Sequence, residues 1–289
     1  MPTFYRRKIM LFAALLGLTT SSISWAHAAL SVVADPVLHA AIASDTRAAK
    51  DKARDVYRHP EQSLIFWGLK PGDTIVEVEP GGGWWTDILA PYLAHTRGHY
   101  IAASADLDNP ATSDDARRGR AAFEAKYGAN PSLYGKVAVV GFGPASGPLA
   151  PAGSIDFILV SRETHNWVRD GFIKKAFADF YAALKPHGVL AIEDHRAPPG
   201  ADPAIGNGYI PEDYVIAEAQ AAGFVLVARS EINANPKDTK DYPFGVWTLP
   251  PSRRSSAFGQ PDDPGFDHSK YDAIGESDRM TLKFIKPEN

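Results

Sequence analysis

The chain has 289 residues, of which 45% are hydrophobic and 22% charged, an ordinary globular composition that supports a full core and excludes disorder throughout. It has no cysteine, which excludes disulfides, thiolate metal sites and a cysteine nucleophile. A net charge of −4 offers no electrostatic footprint for a nucleic-acid partner.

The first residues are of a different class from the rest. Arg6, Arg7 and Lys8 precede an apolar run from Ile9 to Leu18, then threonines and serines, then Ala26-His27-Ala28. This order predicts a secretory signal peptide over residues 1–28, cleaved near Ala28, and a periplasmic or secreted mature protein. The ten-residue run falls short of the ~20 residues that span a bilayer, so no stable membrane span is expected after cleavage. The Arg6-Arg7 pair leaves general and twin-arginine export both open. Loss of residues 1–28 removes three positive charges and no carboxylate, which takes the net charge from −4 to −7.

A helix is predicted from Pro36 to about Arg58, with Asp35 as N-cap and its many charges, Arg47 and Arg54 among them, on a solvated face. His59-Pro60 restarts the chain, and Glu61 to Trp67 form a second helix closed by Gly68. Lys70-Pro71-Gly72-Asp73 is a turn into an apolar strand that ends in Val76-Glu77-Val78-Glu79-Pro80-Gly81-Gly82-Gly83, followed by helical spacing from Trp84 to Leu93. Glycines at such a turn allow positive φ and close approach of another molecule, and the free N–H groups of the next helical turn attract polar or negative groups. A turn that only joins two packed elements has the same composition.

His99 to Ala105 is the second strand, Asp106 to Arg120 reads as a polar loop, and a helix runs from Arg120 to Tyr127. Lys136 to Phe142 and Ser154 to Val160 are the third and fourth strands, separated by a Pro/Gly-rich loop. Phe172, Ala176, Phe177, Phe180 and Leu184 recur at helical spacing, and Lys185-Pro186-His187-Gly188 stops that helix. Val189 to Ile192 is the fifth strand, followed by the polar string Glu193-Asp194-His195-Arg196. A helix from Pro211 to Ala222 and a sixth strand from Phe224 to Ile232 precede a Pro-, Asp- and Asn-rich excursion over 233–277, and Arg279 to Lys286 alternates as a last strand. Strands alternating with helices predict one α/β domain over 29–289, a three-layer Rossmann-like sheet with the excursion covering its ligand edge.

The order of elements and the glycine turn resemble the class I S-adenosylmethionine-dependent methyltransferases. More narrowly, Arg58-His59-Pro60, Glu79 to Trp84, His165-Asn166-Trp167, Asp194 to Gly200, Asn233 to Asp238, Gly245 to Pro251 and Ser277 to Phe284 resemble a family of exported bacterial proteins labelled predicted methyltransferases. The resemblance covers nearly all of the mature chain. It implies a seven-stranded, mostly parallel sheet with an antiparallel last strand, S-adenosylmethionine as cofactor and a small-molecule acceptor. Laid on this chain, the class pattern puts its acidic position on Glu77 and its glycines on Glu79, Gly81 and Gly83, with Gly82 in the same turn. Glu79 departs from the pattern. The acid expected to hold the ribose aligns with Ser104, with Asp106 two residues later, and Phe142 stands where adenine would stack.

Ligands of open α/β sheets bind beyond the carboxyl ends of the strands, which singles out the residues after strands four and five. Arg162, Asn166, Trp167 and Arg196 are the substrate-binding candidates, and His165, Asp194 and His195 the catalytic ones, a histidine held by a carboxylate being a base near neutral pH. A single histidine next to an aspartate in a loop is more often a structural hydrogen-bonded pair. His59, His165, His195 and Asp194 lack a ligand spacing such as H-x-x-x-H, so no metal site is expected, and no G-x-S-x-G occurs. Two readings follow: a methyltransferase, or an exported binding or accessory protein that keeps the fold without the cofactor. The oligomeric state and the acceptor are not legible.

Overall fold

Seven strands form one sheet in the order β3-β2-β1-β4-β5-β7-β6. They are β1 (Thr74–Val78), β2 (His99–Ala105), β3 (Val137–Phe142), β4 (Ile155–Ser161), β5 (Leu184–His195), β6 (Val225–Ser230) and β7 (Arg279–Ile285). The first five pair in parallel, and β7 runs antiparallel between β5 and β6, as the resemblance implied. The computed structural model describes Met1 and residues 35–288, so the expected signal sequence lies, apart from Met1, outside the described residues. Among the described residues no helix is long and apolar enough to cross a membrane.

The two-residue period of the strands distributes the side chains between two cores. Val76 and Val78 of β1, Ile158 and Val160 of β4, and Leu190 and Ile192 of β5 pack with α9 (Ile173–Ala183) and α10 (Glu212–Ala221). On the other face Ile75, Phe157, Leu159 and Ala191 pack with α1 (Pro36–Ala43), α4 (Pro60–Trp67) and α5 (Thr86–Thr96). Fully burying one such aliphatic side chain contributes about 1.5–3 kcal/mol, so both helical layers are held chiefly by apolar packing.

Three expectations are corrected. The N-terminal segment is not one helix: α1 stops at Ser44, and α2 (Ala49–Lys52) and α3 (Asp55–Arg58) follow as short pieces. The chain turns there because Arg47, only 2% exposed, donates to Ile42 O at 2.8 Å and forks onto Asp55 at 2.7 and 2.8 Å. Arg47 is therefore buried rather than on a solvated face, and Arg54 reaches across to Glu276 at 2.7 Å. The stretch taken for a loop before Arg120 contains the start of α6 (Asp114–Gly128), which Ser113 caps by accepting from Ala116 N. Finally, β5 begins at Leu184 and runs through Lys185-Pro186-His187-Gly188, with a register shift against β4 between Ile155 and Phe157, so Glu193, Asp194 and His195 are strand residues.

Three helices complete the framework: α7 (Pro131–Tyr134), α8 (Thr164–Arg169) directly after β4, and α11 (Ser269–Asp272) inside the excursion. The excursion packs Tyr242, Val246 and Leu249 against Ala197 and Tyr209 in a small core. Asp238 ties it to the sheet, accepting from Tyr209 Oη at 3.0 Å and from the Asp278 backbone at 2.8 Å.

Candidate active site

At the end of β1 the chain turns on a residue other than glycine. Glu79 holds the left-handed conformation (φ 48°) while its N–H continues the ladder to Ala103 O at 2.7 Å. Its carboxylate reaches the helix after β4, α8, where it accepts from Trp167 Nε1 at 2.6 Å. The three glycines that follow differ in role. A side chain on Gly81 or Gly82 would meet nothing within 4 Å, so this part of the turn is open, whereas a Cβ on Gly83 would fall 1.8 Å from Tyr127 Oη. Gly83 is thus required by packing against α6, where Tyr127 donates to Gly83 O and to Asp87.

Glu77 is buried rather than facing the turn's open side. Its Oε2 accepts from Thr86 Oγ1 at 2.9 Å and Tyr100 Oη at 2.6 Å, and burial pushes the carboxyl up to about 7 despite those bonds. At the end of β2, Ser104 lies half-buried opposite Gly141. Asp106 follows, with Oδ1 taken by Asp108 N at 3.1 Å and Oδ2 bonded to none of the described residues. Phe142 is placed in the core: its ring stacks on Phe180 and meets Trp167 edge-on at 5.4 Å, so it does not offer adenine an open face.

The ends of β4 and β5 bring the polar candidates together around a cavity of about 210 Å³, which the excursion borders through Trp247, Pro250 and Pro251. Arg162, Glu163, His165, Asn166 and His195 reach its wall. His165 Nδ1 lies 2.9 Å from Asp194 Oδ1, Thr164 Oγ1 donates to Oδ2, and the His195 N–H donates to Oδ1 at 2.7 Å. Burial works against the Asp194 anion, but His165, His195 and Thr164 outweigh it and hold the carboxyl down at about 2. In the neutral ring, a proton on Nδ1 donated to Asp194 leaves Nε2 as the nitrogen with the lone pair. The two rings lie 5.4 Å apart, and His195 Nδ1 meets Ser277 Oγ at 2.5 Å. Burial keeps His195 well below its usual range, hence neutral at pH 7.

Beside the histidines stands a carboxylate pair. Burial and Glu79 push Glu163 well up, burial likewise raises Glu79, and Asn166 Nδ2 donates to Glu163 at 2.8 Å. Two of the substrate candidates do not reach this cavity. Trp167 is buried beneath it with its N–H on Glu79, and Arg196 is turned outward into ion pairs with Asp278 and Glu231 at 2.9 and 2.7 Å.

Sequence reasoning missed a charged layer that reaches the cavity wall through Glu276. Glu276 accepts from Arg54, Arg58 and Arg279 at 2.7–2.9 Å, and those arginines hold it at about 2 against its burial. Glu193 accepts from Ser161 Oγ at 2.6 Å and stands 3.8 and 3.9 Å from Arg162 and Arg279, beyond hydrogen-bond reach. Arg58 and Ser277 lie inside segments that carried the resemblance, which was the one available signal.

No family model and no curated protein matches the chain. Among solved structures, an S-adenosylmethionine-dependent methyltransferase from Aquifex aeolicus matches at 18% identity over 82% of this chain and 97% of that one, with a TM-score of 0.50. The [4+2]-cyclase SpnF matches at 16% identity over 88% of this chain and 93% of that one, with a TM-score of 0.54. At these identities the likeness establishes the fold, which is that of the class I S-adenosylmethionine-dependent methyltransferases.

Proposed function

We propose that the protein is an S-adenosylmethionine-dependent methyltransferase acting on a small molecule, exported through residues 1–28. The observation that carries this reading is the Asp194-held His165 on the wall of a cavity that the excursion borders, one strand away from an open glycine turn. The open space over Gly81 and Gly82 and the unengaged Oδ2 of Asp106 fit the cofactor's methionine end and ribose; the buried Phe142 leaves adenine to another wall. Bound there, the cofactor supplies an electrophilic methyl group. The chain does the rest: Asp194 orients His165, His165 Nε2 takes a proton from the acceptor, neutral His195 and Ser277 position it, and Trp247 and the two prolines exclude water.

Calorimetric titration of the purified chain with S-adenosylmethionine and S-adenosylhomocysteine tests the reading. Micromolar binding weakened by Gly81→Val supports it; absence of binding sinks it. The second reading, a binding or accessory protein of the same fold, draws on Glu79 at the first glycine position and on the closed packing of Phe142. The cyclase of like fold illustrates that this framework carries other chemistry. Cell fractionation decides the export.

A further inference from the structure

The cavity wall contains a cation whose terminal donors are open. Arg162 follows β4 directly and holds the left-handed backbone conformation (φ 64°), a strained position for a residue other than glycine. Its Nε meets Ser161 Oγ at 3.3 Å, and its two Nη groups make no hydrogen bond with any described residue. The nearest carboxylate, Glu193, is 3.8 Å away and already engaged by Ser161. A guanidinium presents a planar fork of donors suited to two oxygens of one group, and here that fork borders a cavity.

The surroundings deepen the imbalance. Around Arg162, the arginines at 54, 58, 162 and 279 meet three carboxylates, Asp51, Glu193 and Glu276. Part of this layer is sealed from solvent: Arg58 is 0% and Arg279 1% exposed, and Arg58 Nη1, Arg58 Nη2, Arg279 Nε and Glu193 Oε2 are buried without a hydrogen-bond partner among the described residues. Of the other acids, Glu163 lines the cavity itself and accepts from Asn166, Asp194 is held by His165, and Glu79 accepts from Trp167. Excess buried positive charge without donors satisfied is costly, and an anion in the cavity offsets it.

We propose that the molecule taken up by this cavity carries a carboxylate or a phosphate, and that the Arg162 fork binds it. The proposal rests on the reading of the cavity as the acceptor site, and it makes the methyl acceptor an anion. His165 and His195 line the same cavity as Arg162, so an acceptor held through its anion meets both histidines with other atoms.

The test uses inorganic phosphate and acetate as probes, titrated into the purified full chain against chloride at equal ionic strength. Saturable binding of at least one probe is expected, with a shift of the Arg162 Nε–H resonance in the wild-type protein. Arg162→Gln is expected to weaken binding about tenfold or more, and Arg162→Lys less. Binding no stronger than chloride, an unmoved Arg162 resonance, or unchanged affinity in Arg162→Gln overturns the proposal; the resonance is read on wild type and needs no variant to fold. Repeating the titration with S-adenosylhomocysteine present separates the sources of the anion. Simultaneous binding supports the proposal, whereas displacement assigns Arg162 to the cofactor's own carboxylate and overturns it. If phosphate binds at Arg162 and S-adenosylhomocysteine does not bind at all, the methyltransferase reading falls and the anion site stands.

Discussion

Trp167 Nε1 donates to Glu79 Oε2 at 2.6 Å, tying the helix after β4 to the turn after β1. Glu79→Gly would relieve the left-handed strain at this position but leave a buried indole N–H without an acceptor. The unmade bond dominates, and a net loss of about 1–2 kcal/mol is expected in urea unfolding. Glu79→Gln keeps an acceptor for the indole and removes the charge facing Glu163. The Glu163 carboxyl should then titrate lower than in wild type, read by carbon NMR of the labelled side chain.

The glycine turn separates packing from ligand access. Gly83→Ala forces a methyl group onto Tyr127 Oη at a backbone φ of 86°, and should cost about 3 kcal/mol or more. Gly82→Ala meets open space and should stay within about 1 kcal/mol of wild type. Thermal unfolding of the two variants checks the contrast, and equal losses would refute it.

Glu77 carries a pH signature. Its folded-state carboxyl is raised from 4.5 to about 7, so its stabilising contribution is present below pH 4.5 and is lost as pH rises through 7. Glu77→Gln is neutral throughout. Between pH 4.5 and pH 8 the stability of the variant relative to wild type should therefore climb by roughly 3 kcal/mol. Denaturant unfolding at several pH values reads this difference, and a flat one would show that Glu77 ionises normally.

Asp194 has the opposite sign. Its carboxyl is lowered from 3.8 to about 2, so its contribution is present above pH 3.8 and disappears as pH falls toward 2. Asp194→Asn should cost roughly 2 kcal/mol at pH 7 and little near pH 2. It also allows the other His165 tautomer. On the methyltransferase reading, turnover should fall by about a hundredfold or more while binding of S-adenosylhomocysteine persists.

The sheet was legible because buried parallel strands are apolar runs and the helices between them keep a 3.6-residue period. The boundaries failed where chemistry outvoted composition. Pro186 and Gly188 read as a stop, yet β5 runs through them with an irregular register against β4. The first turns of α6 looked like loop because only Phe123 and Tyr127 of that helix are buried, leaving little apolar period to detect. At the site, His165, Asp194 and His195 were adjacent enough in pattern to be singled out. The layer joining Arg54 and Arg58 to Glu276 was not, since a contact across 218 residues leaves no trace in local spacing.

The position of β7 has a consequence for how the protein is made. The last strand lies between β5 and β6, so neither has its final neighbour until residues 279–285 leave the ribosome. Until then β6 has no partner, and the layer under α9 and α10 lacks Met280, Leu282 and Phe284. That open edge is a form that chaperones can engage while the nascent chain waits for β7.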